Sequence, residues 1–258
     1  MLKRLRWITL GALVITASPV FAHPFFVWAT FPGKPAPVIL ELFTSQGCSS
    51  CPPAEAFLNS WGQSQFQKGK VIPLAFHVDY WNNLGWSDPF SSVDFTARQK
   101  SYEDMLGRDS LYTPQAVLGG QVDAAGCDTQ FIENRVAALT TIQAVTGLSL
   151  TARRRKGQLE IEVKTRDAEK PGDAWVLNLV VFENGLVTPV AQGENRGRTL
   201  TESFVARLFK KIDPVQESQT YSNPWNSKWK AQNAGVAAYL QDRRSLRIDS
   251  SAAVYPIP

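Results

Sequence analysis

The chain has 258 residues, of which 44% are hydrophobic and 11% aromatic, so it can bury a real core and extensive disorder is excluded. The formal net charge of +4 falls to +1 once the three cations of residues 1–22 are set aside, because that segment has no acidic residue. The remaining chain gives no electrostatic reason to expect a nucleic acid as partner.

Residues 1–22 have the three parts of a secretory signal peptide. The cations Lys3, Arg4 and Arg6 precede a short apolar run at residues 7–17, and small residues precede a cleavage point after Ala22. The apolar run is shorter than the ~20 residues that span a bilayer. We therefore predict a periplasmic or secreted protein with no transmembrane segment after cleavage; an uncleaved amphipathic anchor is the alternative.

The next segments predict a β-α-β unit. Residues 23–37 form a proline-rich lead-in, and the nearly continuous apolar run at 38–44 predicts a buried strand. A helix follows from Pro52, because proline is favoured in the first turn. Residues 71–78 predict a second strand parallel to the first, in which Pro73 indicates a late start or a bulge.

The pattern up to residue 145 continues with mixed elements. A helix is predicted over residues 93–106, and Gly119-Gly120 is typical of a tight hairpin between two short strands. A last helix is predicted after Asp128, which is a favoured capping residue.

Alternating apolar and polar residues dominate after residue 146. Around seven short segments of this kind are separated by Gly, Asn and Asp. This alternating pattern predicts an all-β immunoglobulin-like sandwich at residues 146–258, which follows an α/β domain at residues 38–145.

The motif that carries chemistry is the CxxC pair Cys48 and Cys51, between a predicted strand and a predicted helix start. Unpaired amides and partial positive charge at a helix N-terminus favour a thiolate, so we expect the pKa of Cys48 to fall below that of free cysteine. Cys48 is then the attacking thiol, and Cys51 resolves the mixed disulfide.

Other interpretations of the cysteines stay open. An oxidising compartment would also keep the pair as a purely structural disulfide. Zinc binding would need further ligands, for which Cys127, His23 and His77 are the soft candidates. A mature N-terminus at His23 could bind copper through its amine and ring. Cys127 is most simply a buried, inert thiol.

The order strand, turn, CxxC, helix, with the later Thr113-Pro114 before a strand, resembles the thioredoxin fold over residues 37–141. The resemblance implies a cis proline at Pro114 that faces the CxxC pair. It also implies that Glu41, on the strand before the motif, is a buried acid that takes the proton from Cys51. A glutamate that faces outward at a sheet edge is the alternative.

The string ELFTSQGCSSCPPAE at residues 41–55, with HVDYW at 77–81, is similar to a family of bacterial secreted thioredoxin-like proteins of unknown function with a β-rich tail. The similarity implies an α/β thioredoxin-like fold and export, and it implies no particular substrate.

Residues at the end of the second predicted strand should lie beside the CxxC pair. His77, Tyr80 and Trp81 could line a groove for a partner chain, together with Thr113, and His77 could tune the thiolate. The alternative is an aromatic loop that packs over the sheet edge, with His77 hydrogen-bonded inside it.

These observations predict an exported thiol–disulfide oxidoreductase that acts on protein or small-molecule thiols. Its partners would be protein thiols or a redox partner protein, and the sequence indicates no cofactor and no metal site. The alternative is a non-catalytic periplasmic binding or assembly protein in which the pair is structural or binds copper. Measured reactivity of Cys48 separates the two.

Overall fold

The structure is a computed structural model, and it describes residues 26–166 and 174–258. The predicted signal peptide and His23 lie outside the described residues. Strands account for 42% of the described residues and helices for 21%. In the ranges that the structure describes, no helix has the length and apolar content to cross a membrane.

The elements are as follows. The strands are β1 (Phe26–Trp28), β2 (Val38–Thr44), β3 (Val71–His77), β4 (Gln115–Leu118), β5 (Val122–Ala125), β6 (Gly147–Arg155), β7 (Gln158–Arg166), β8 (Trp175–Glu183), β9 (Leu186–Pro189), β10 (Thr199–Glu202), β11 (Val205–Ile212), β12 (Ser218–Pro224), β13 (Ala234–Asp242) and β14 (Ile248–Tyr255). The helices are α1 (Pro52–Phe57), a π-helical turn (Leu58–Gly62), α2 (Gln63–Gln67), a 3₁₀ turn (Asn82–Leu84), α3 (Val93–Leu106), α4 (Thr129–Leu139) and a 3₁₀ turn (Ala231–Asn233).

Nine strands form one curled mixed sheet in the order β1-β14-β13-β8-β11-β3-β2-β4-β5. β2 is parallel to β3 and antiparallel to β4, whereas β8, β13 and β14 are joined by antiparallel pairing. The remaining strands form a three-stranded sheet, β12-β7-β6, and the hairpin β9-β10.

The predicted architecture of a thioredoxin-like α/β domain followed by an immunoglobulin-like sandwich is therefore wrong. β11 pairs in parallel with β3 at Val205 and Ala75, and the amide of Ala75 donates to the carbonyl of Phe204 at 2.8 Å. This junction adds β8, β13 and β14 to the same sheet as β2 and β3. The reason is that each of these strands is buried on both faces, so it needs a central position in a large sheet.

Two hydrophobic clusters lie on opposite faces of the large sheet. On one face of β8, Leu177, Leu179 and Val181 pack against apolar residues of β6 and β7. On the other face, Val180 and Phe182 join the main core with the apolar residues of β2, β3 and the helices. The alternation along β8 thus serves both clusters.

Pro73 lies inside β3 without a late start or a bulge. Proline lacks the N–H that a central strand uses for pairing. The position is tolerated because β11 pairs with β3 only at Ala75, so no bond from Pro73 to that neighbour is required.

Several local predictions are confirmed. β2 and α3 have the predicted bounds, Ser92 accepts a hydrogen bond from the amide of Asp94, and Asp128 accepts one from Phe131 at the start of α4. The prediction for Cys127 is wrong, because this free thiol is exposed. It lies in a turn just before α4, which leaves the thiol open to solvent.

Candidate functional site

The two cysteines of the CxxC motif form a disulfide in the loop between β2 and α1. Both residues have 0% exposure, whereas Ser49 and Ser50 between them are exposed. The loop therefore presents its two hydroxyl-bearing residues to solvent and its two sulfurs inward.

The loop ends at the start of α1 in the way the sequence predicts. Cys51 lies just before the helix, Pro52 is in the first turn, and the carbonyl of Cys51 accepts from the amide of Glu55 at 3.1 Å. The hydroxyl oxygen of Ser50 lies 3.3 Å from the sulfur of Cys48. A disulfide sulfur carries no hydrogen, so the hydroxyl is the donor in this contact.

The segment around Thr113 lies beside Cys48. The Thr113–Pro114 peptide bond is cis, and the carbonyl oxygen of Thr113 lies 3.9 Å from the sulfur of Cys48. The indole nitrogen of Trp81 donates to the hydroxyl of Thr113 at 2.9 Å. A β-carbon at Gly47 would lie 3.2 Å from that of Trp81, so the loops meet closely there. Segments distant in sequence thus converge on the disulfide.

Tyr80 and Trp81 are both partly buried and pack against the main core. Burial raises the pKa of Tyr80 to about 12, so its phenol is neutral near pH 7. These contacts agree with an aromatic loop that packs over the sheet edge. Trp81 also contacts Thr113, so part of the loop borders the disulfide.

Glu41 is fully buried, but its carboxylate is not directed to the cysteines. It forms an ion pair with the guanidinium of Arg98 at 2.6 Å and accepts hydrogen bonds from Tyr102 and Tyr239. Side chains three positions apart on a strand point to opposite faces, and Thr44 is the residue that faces α1. The structure therefore places Glu41 in a network on the α3 face and away from the helix that follows Cys51.

His77 takes part in a buried polar cluster that the sequence did not predict. We call Glu55, His77, Asp88 and Glu202 the buried cluster. The Nδ1 atom of His77 lies 2.7 Å from a carboxylate oxygen of Asp88, and both side chains have 0% exposure. Burial alone would lower the pKa of His77, but the neighbouring carboxylates, Asp88 first, raise it to about 9. Burial works against ionised Asp88 too, but His77 and backbone amides lower its pKa.

The other two acids of the cluster face His77 from different elements. Burial raises the pKa of Glu55 and raises that of Glu202 to about 7. Glu55 accepts a hydrogen bond from the hydroxyl of Thr44 at 2.5 Å. The Nε2 atom of His77 and the Oε1 atom of Glu202 have no hydrogen-bond partner among the described residues.

Gln46 links the disulfide loop to the buried cluster. Its backbone N–H donates to the carboxylate of Asp88 at 2.8 Å, and its side-chain amide donates to the carboxylate of Glu202 at 2.7 Å. Its side-chain oxygen accepts from the indole of Trp86 at 3.1 Å. Gln46 is two residues before Cys48, so these hydrogen bonds join the disulfide loop to the buried cluster.

The segment at residues 190–198, between β9 and β10, covers the disulfide loop, and we call it the clasp loop. The side-chain amide of Asn195 donates to the carbonyls of Gln46 and Cys48, both at 2.9 Å. A carboxylate oxygen of Glu194 accepts from the amide of Ser49 at 2.9 Å. The clasp loop thus satisfies backbone groups that the tight loop leaves unpaired.

Sequence reasoning missed Glu55, Asp88, Asn195 and Glu202. Glu55 lies in the quoted CxxC string, so its place in the first turn of the helix was available as a signal. Nothing in the local sequence of Asn195 or Glu202 connects these residues to the motif, because both come from a hairpin far along the chain.

The proteins of unknown function of the DUF1223 family match this chain over residues 39–241. The chain belongs to this family. Its matched region includes the disulfide, the buried cluster and the clasp loop. No sequence among curated proteins matches the chain.

Solved structures show a similar fold. A crystal structure of an Agrobacterium tumefaciens protein is 28% identical, with a TM-score of 0.61, over 86% of this chain and 94% of the other. HBP35 of Porphyromonas gingivalis is 13% identical, with a TM-score of 0.65, over 88% of this chain and 77% of the other. The second likeness is one of fold alone.

Proposed function

We propose that this protein is an extracytoplasmic thiol–disulfide oxidoreductase that acts on protein or small-molecule thiols through Cys48 and Cys51. The observation that carries the proposal is the disulfide within a CxxC loop at a helix start, where Ser50 and Thr113 approach Cys48 at 3.3 and 3.9 Å. The signal-like N-terminus and the disulfide support an oxidising compartment.

The exchange proceeds in two balanced steps. A substrate thiolate attacks the sulfur of Cys48, the Cys48–Cys51 bond breaks, and Cys51 leaves as a thiolate. The second substrate thiolate attacks the substrate sulfur of the mixed disulfide, which releases Cys48 as a thiolate and an oxidised substrate. The protein gains two electrons and, on protonation of both thiolates, two protons. The reverse sequence reduces a substrate disulfide.

The surroundings of Cys48 favour its role as the attacked sulfur. The hydroxyl of Ser50 can donate to a thiolate at Cys48, and such hydrogen bonds to charged acceptors are stronger than neutral ones. The backbone of Thr113 lies beside the same sulfur, where an extended partner chain would pass. Cys51 is at the start of α1.

One observation favours a second candidate, a non-catalytic binding or assembly protein with a structural disulfide. Both cysteines have 0% exposure, so a partner cannot reach the sulfurs without movement of the residues around them. Copper binding through the pair would need both thiolates, which the disulfide withholds.

The test is stoichiometric exchange with a synthetic peptide that carries two thiols. The oxidised protein, with Cys127→Ser to remove the exposed thiol, is mixed with the reduced peptide, and both products are quantified after acid quenching. We expect one peptide disulfide for each protein disulfide consumed. When the single-cysteine variants are mixed with the oxidised peptide instead, Cys48 of Cys51→Ser should attack the peptide disulfide and give a trapped mixed disulfide, whereas Cys48→Ser should give none. A rate equal to that of the variant lacking both cysteines would support the structural disulfide instead.

A further inference from the structure

Three buried side chains from α1, β3 and β10 direct polar atoms to one point. The atoms of Glu55, His77 and Glu202 that could bind an ion all lie within 4.8 Å of one another. None of the three residues is more than 5% exposed. The Nε2 atom of His77 and the Oε1 atom of Glu202 have no partner among the described residues, and unpaired buried polar atoms are costly.

Each of these side chains is held at another polar atom by a residue outside the trio. The pairs are His77 with Asp88 at 2.7 Å, Glu55 with Thr44 at 2.5 Å and Glu202 with Gln46 at 2.7 Å. A carboxylate at one ring nitrogen fixes the orientation of the imidazole, so its other nitrogen can bind an ion once the proton on it is released. Hydrogen-bonded carboxylates are oriented in the same manner, so the trio has the supporting contacts that metal sites use.

We propose that Glu55, His77 and Glu202 form a binding site for a divalent transition-metal ion. Imidazole and carboxylate ligands suit borderline ions such as Zn²⁺, and three protein ligands leave a fourth position for water. Bonds of about 2.0–2.2 Å place the ligand atoms of a tetrahedral ion roughly 3.4 Å apart, which small rotations of these side chains reach.

The charges of Glu55, His77 and Glu202 also favour a divalent cation. With an ion bound, two ionised carboxylates and a neutral imidazole carry two negative charges, and ionised Asp88 beside His77 adds a third, so one divalent cation neutralises two of the three. Without an ion, protonated His77 is the cation that offsets the repulsion between Glu55 and Glu202. A proton shared within the trio is the competing occupant, and the experiment distinguishes the two.

The three ligands come from different parts of the fold. Glu202 belongs to β10, next to the clasp loop, whereas Glu55 and His77 belong to α1 and β3. An ion bound to all three connects the β9-β10 hairpin to the core.

The experiment is a metal titration of the mature chain with its disulfide oxidised and Cys127→Ser in the background, so that no thiolate competes. The protein is stripped with a chelator, titrated with Co²⁺ by visible absorption and back-titrated with Zn²⁺. We expect one ion per chain and the intense bands of four- or five-coordinate cobalt. Glu55→Gln and Glu202→Gln should each weaken binding more than 100-fold, whereas Glu133→Gln on the exposed face of α4 should match the parent.

A second readout does not depend on variants that fold. The ring nitrogens of His77 are followed by NMR in the parent protein during addition of Zn²⁺, and we expect the Nε2 resonance to shift in proportion to the bound metal. The proposal is overturned if no ion binds more tightly than millimolar, if both glutamine variants bind like the parent, or if Nε2 is unaffected by bound Zn²⁺. A proton shared within the trio gives the first of these results. The redox proposal is untouched by any of them, because the disulfide remains oxidised throughout.

Discussion

Asn195 holds the clasp loop on the disulfide loop, and its replacement by alanine is expected to open access to the sulfurs. Its amide donates to the carbonyls of Gln46 and Cys48, both at 2.9 Å. Asn195 and both cysteines have 0% exposure, so a reductant reaches the disulfide only in molecules that have opened locally. We expect the clasp loop to be the segment that opens, because Asn195 joins it to the backbone of the disulfide loop. Asn195→Ala therefore raises the population of open molecules.

The two hydrogen bonds set the magnitude. A net hydrogen bond contributes about 1 kcal/mol, and an unpaired buried acceptor costs about 1–3 kcal/mol. The Oδ1 atom of Asn195 has no partner among the described residues, so its removal offsets part of the loss. We therefore take the low value, about 2 kcal/mol for both bonds. Since 1.4 kcal/mol is a factor of ten, the open population rises about 30-fold.

The assay is the rate of disulfide reduction by excess dithiothreitol in a Cys127→Ser background, followed by alkylation and mass measurement. When opening is fast relative to reduction, the rate follows the open population, so Asn195→Ala should react about 30-fold faster. Arg196→Ala, an exposed neighbour in the same loop, is the control and should react like the parent. Denaturant unfolding confirms that both variants stay folded. Rates for Asn195→Ala and the parent that agree within twofold would refute a gating role for the clasp loop.

Three further predictions concern the site and its surroundings. Ser50→Ala should slow alkylation of the reduced Cys48 thiol at pH 7 about two- to threefold. Loss of a hydrogen bond of about 1 kcal/mol lowers the thiolate fraction about fivefold, whereas the higher pKa of the thiol makes the remaining thiolate about twofold more nucleophilic. Ser49→Ala should not slow alkylation, and equal rates for Ser50→Ala and the parent would contradict the contact. Glu41→Gln should lower the free energy of unfolding by about 3–5 kcal/mol, because the buried guanidinium of Arg98 loses its counter-charge. The same variant should exchange disulfides at the parent rate under native conditions. A tenfold slower rate would indicate that Glu41 does take part in the disulfide exchange.

Strands and helix boundaries with strong local patterns could be predicted from the sequence. β2 is a continuous apolar run, and α3 begins where Ser92 can accept from an amide of its first turn. Strand partners could not be predicted in this way. The apolar run of β8 predicts a buried strand, but no local pattern in β8 or β11 predicts that Val205 pairs with Ala75. The same local sequence patterns are compatible with one large sheet and with a separate β-sandwich.

The sequence could predict some residues of the candidate site but not others. Cys48 and Thr113 were expected together because strand ends at one sheet edge converge, and the structure places them 3.9 Å apart. Glu202 lies 156 residues from Gln46 in a short alternating strand, so only tertiary structure brings its carboxylate to the disulfide loop. The sequence leaves both a buried and an outward-facing Glu41 open, and the structure shows it buried; its partner Arg98 is in a helix whose polar residues look solvent-facing in sequence.

The redox potential of the Cys48–Cys51 pair tests the central claim most directly. Equilibration of the Cys127→Ser protein with dithiothreitol and glutathione buffers gives the potential from the fraction of oxidised protein. The account predicts a value in the range of exchange catalysts, about −120 to −270 mV. A potential below about −300 mV, typical of structural disulfides, would contradict it.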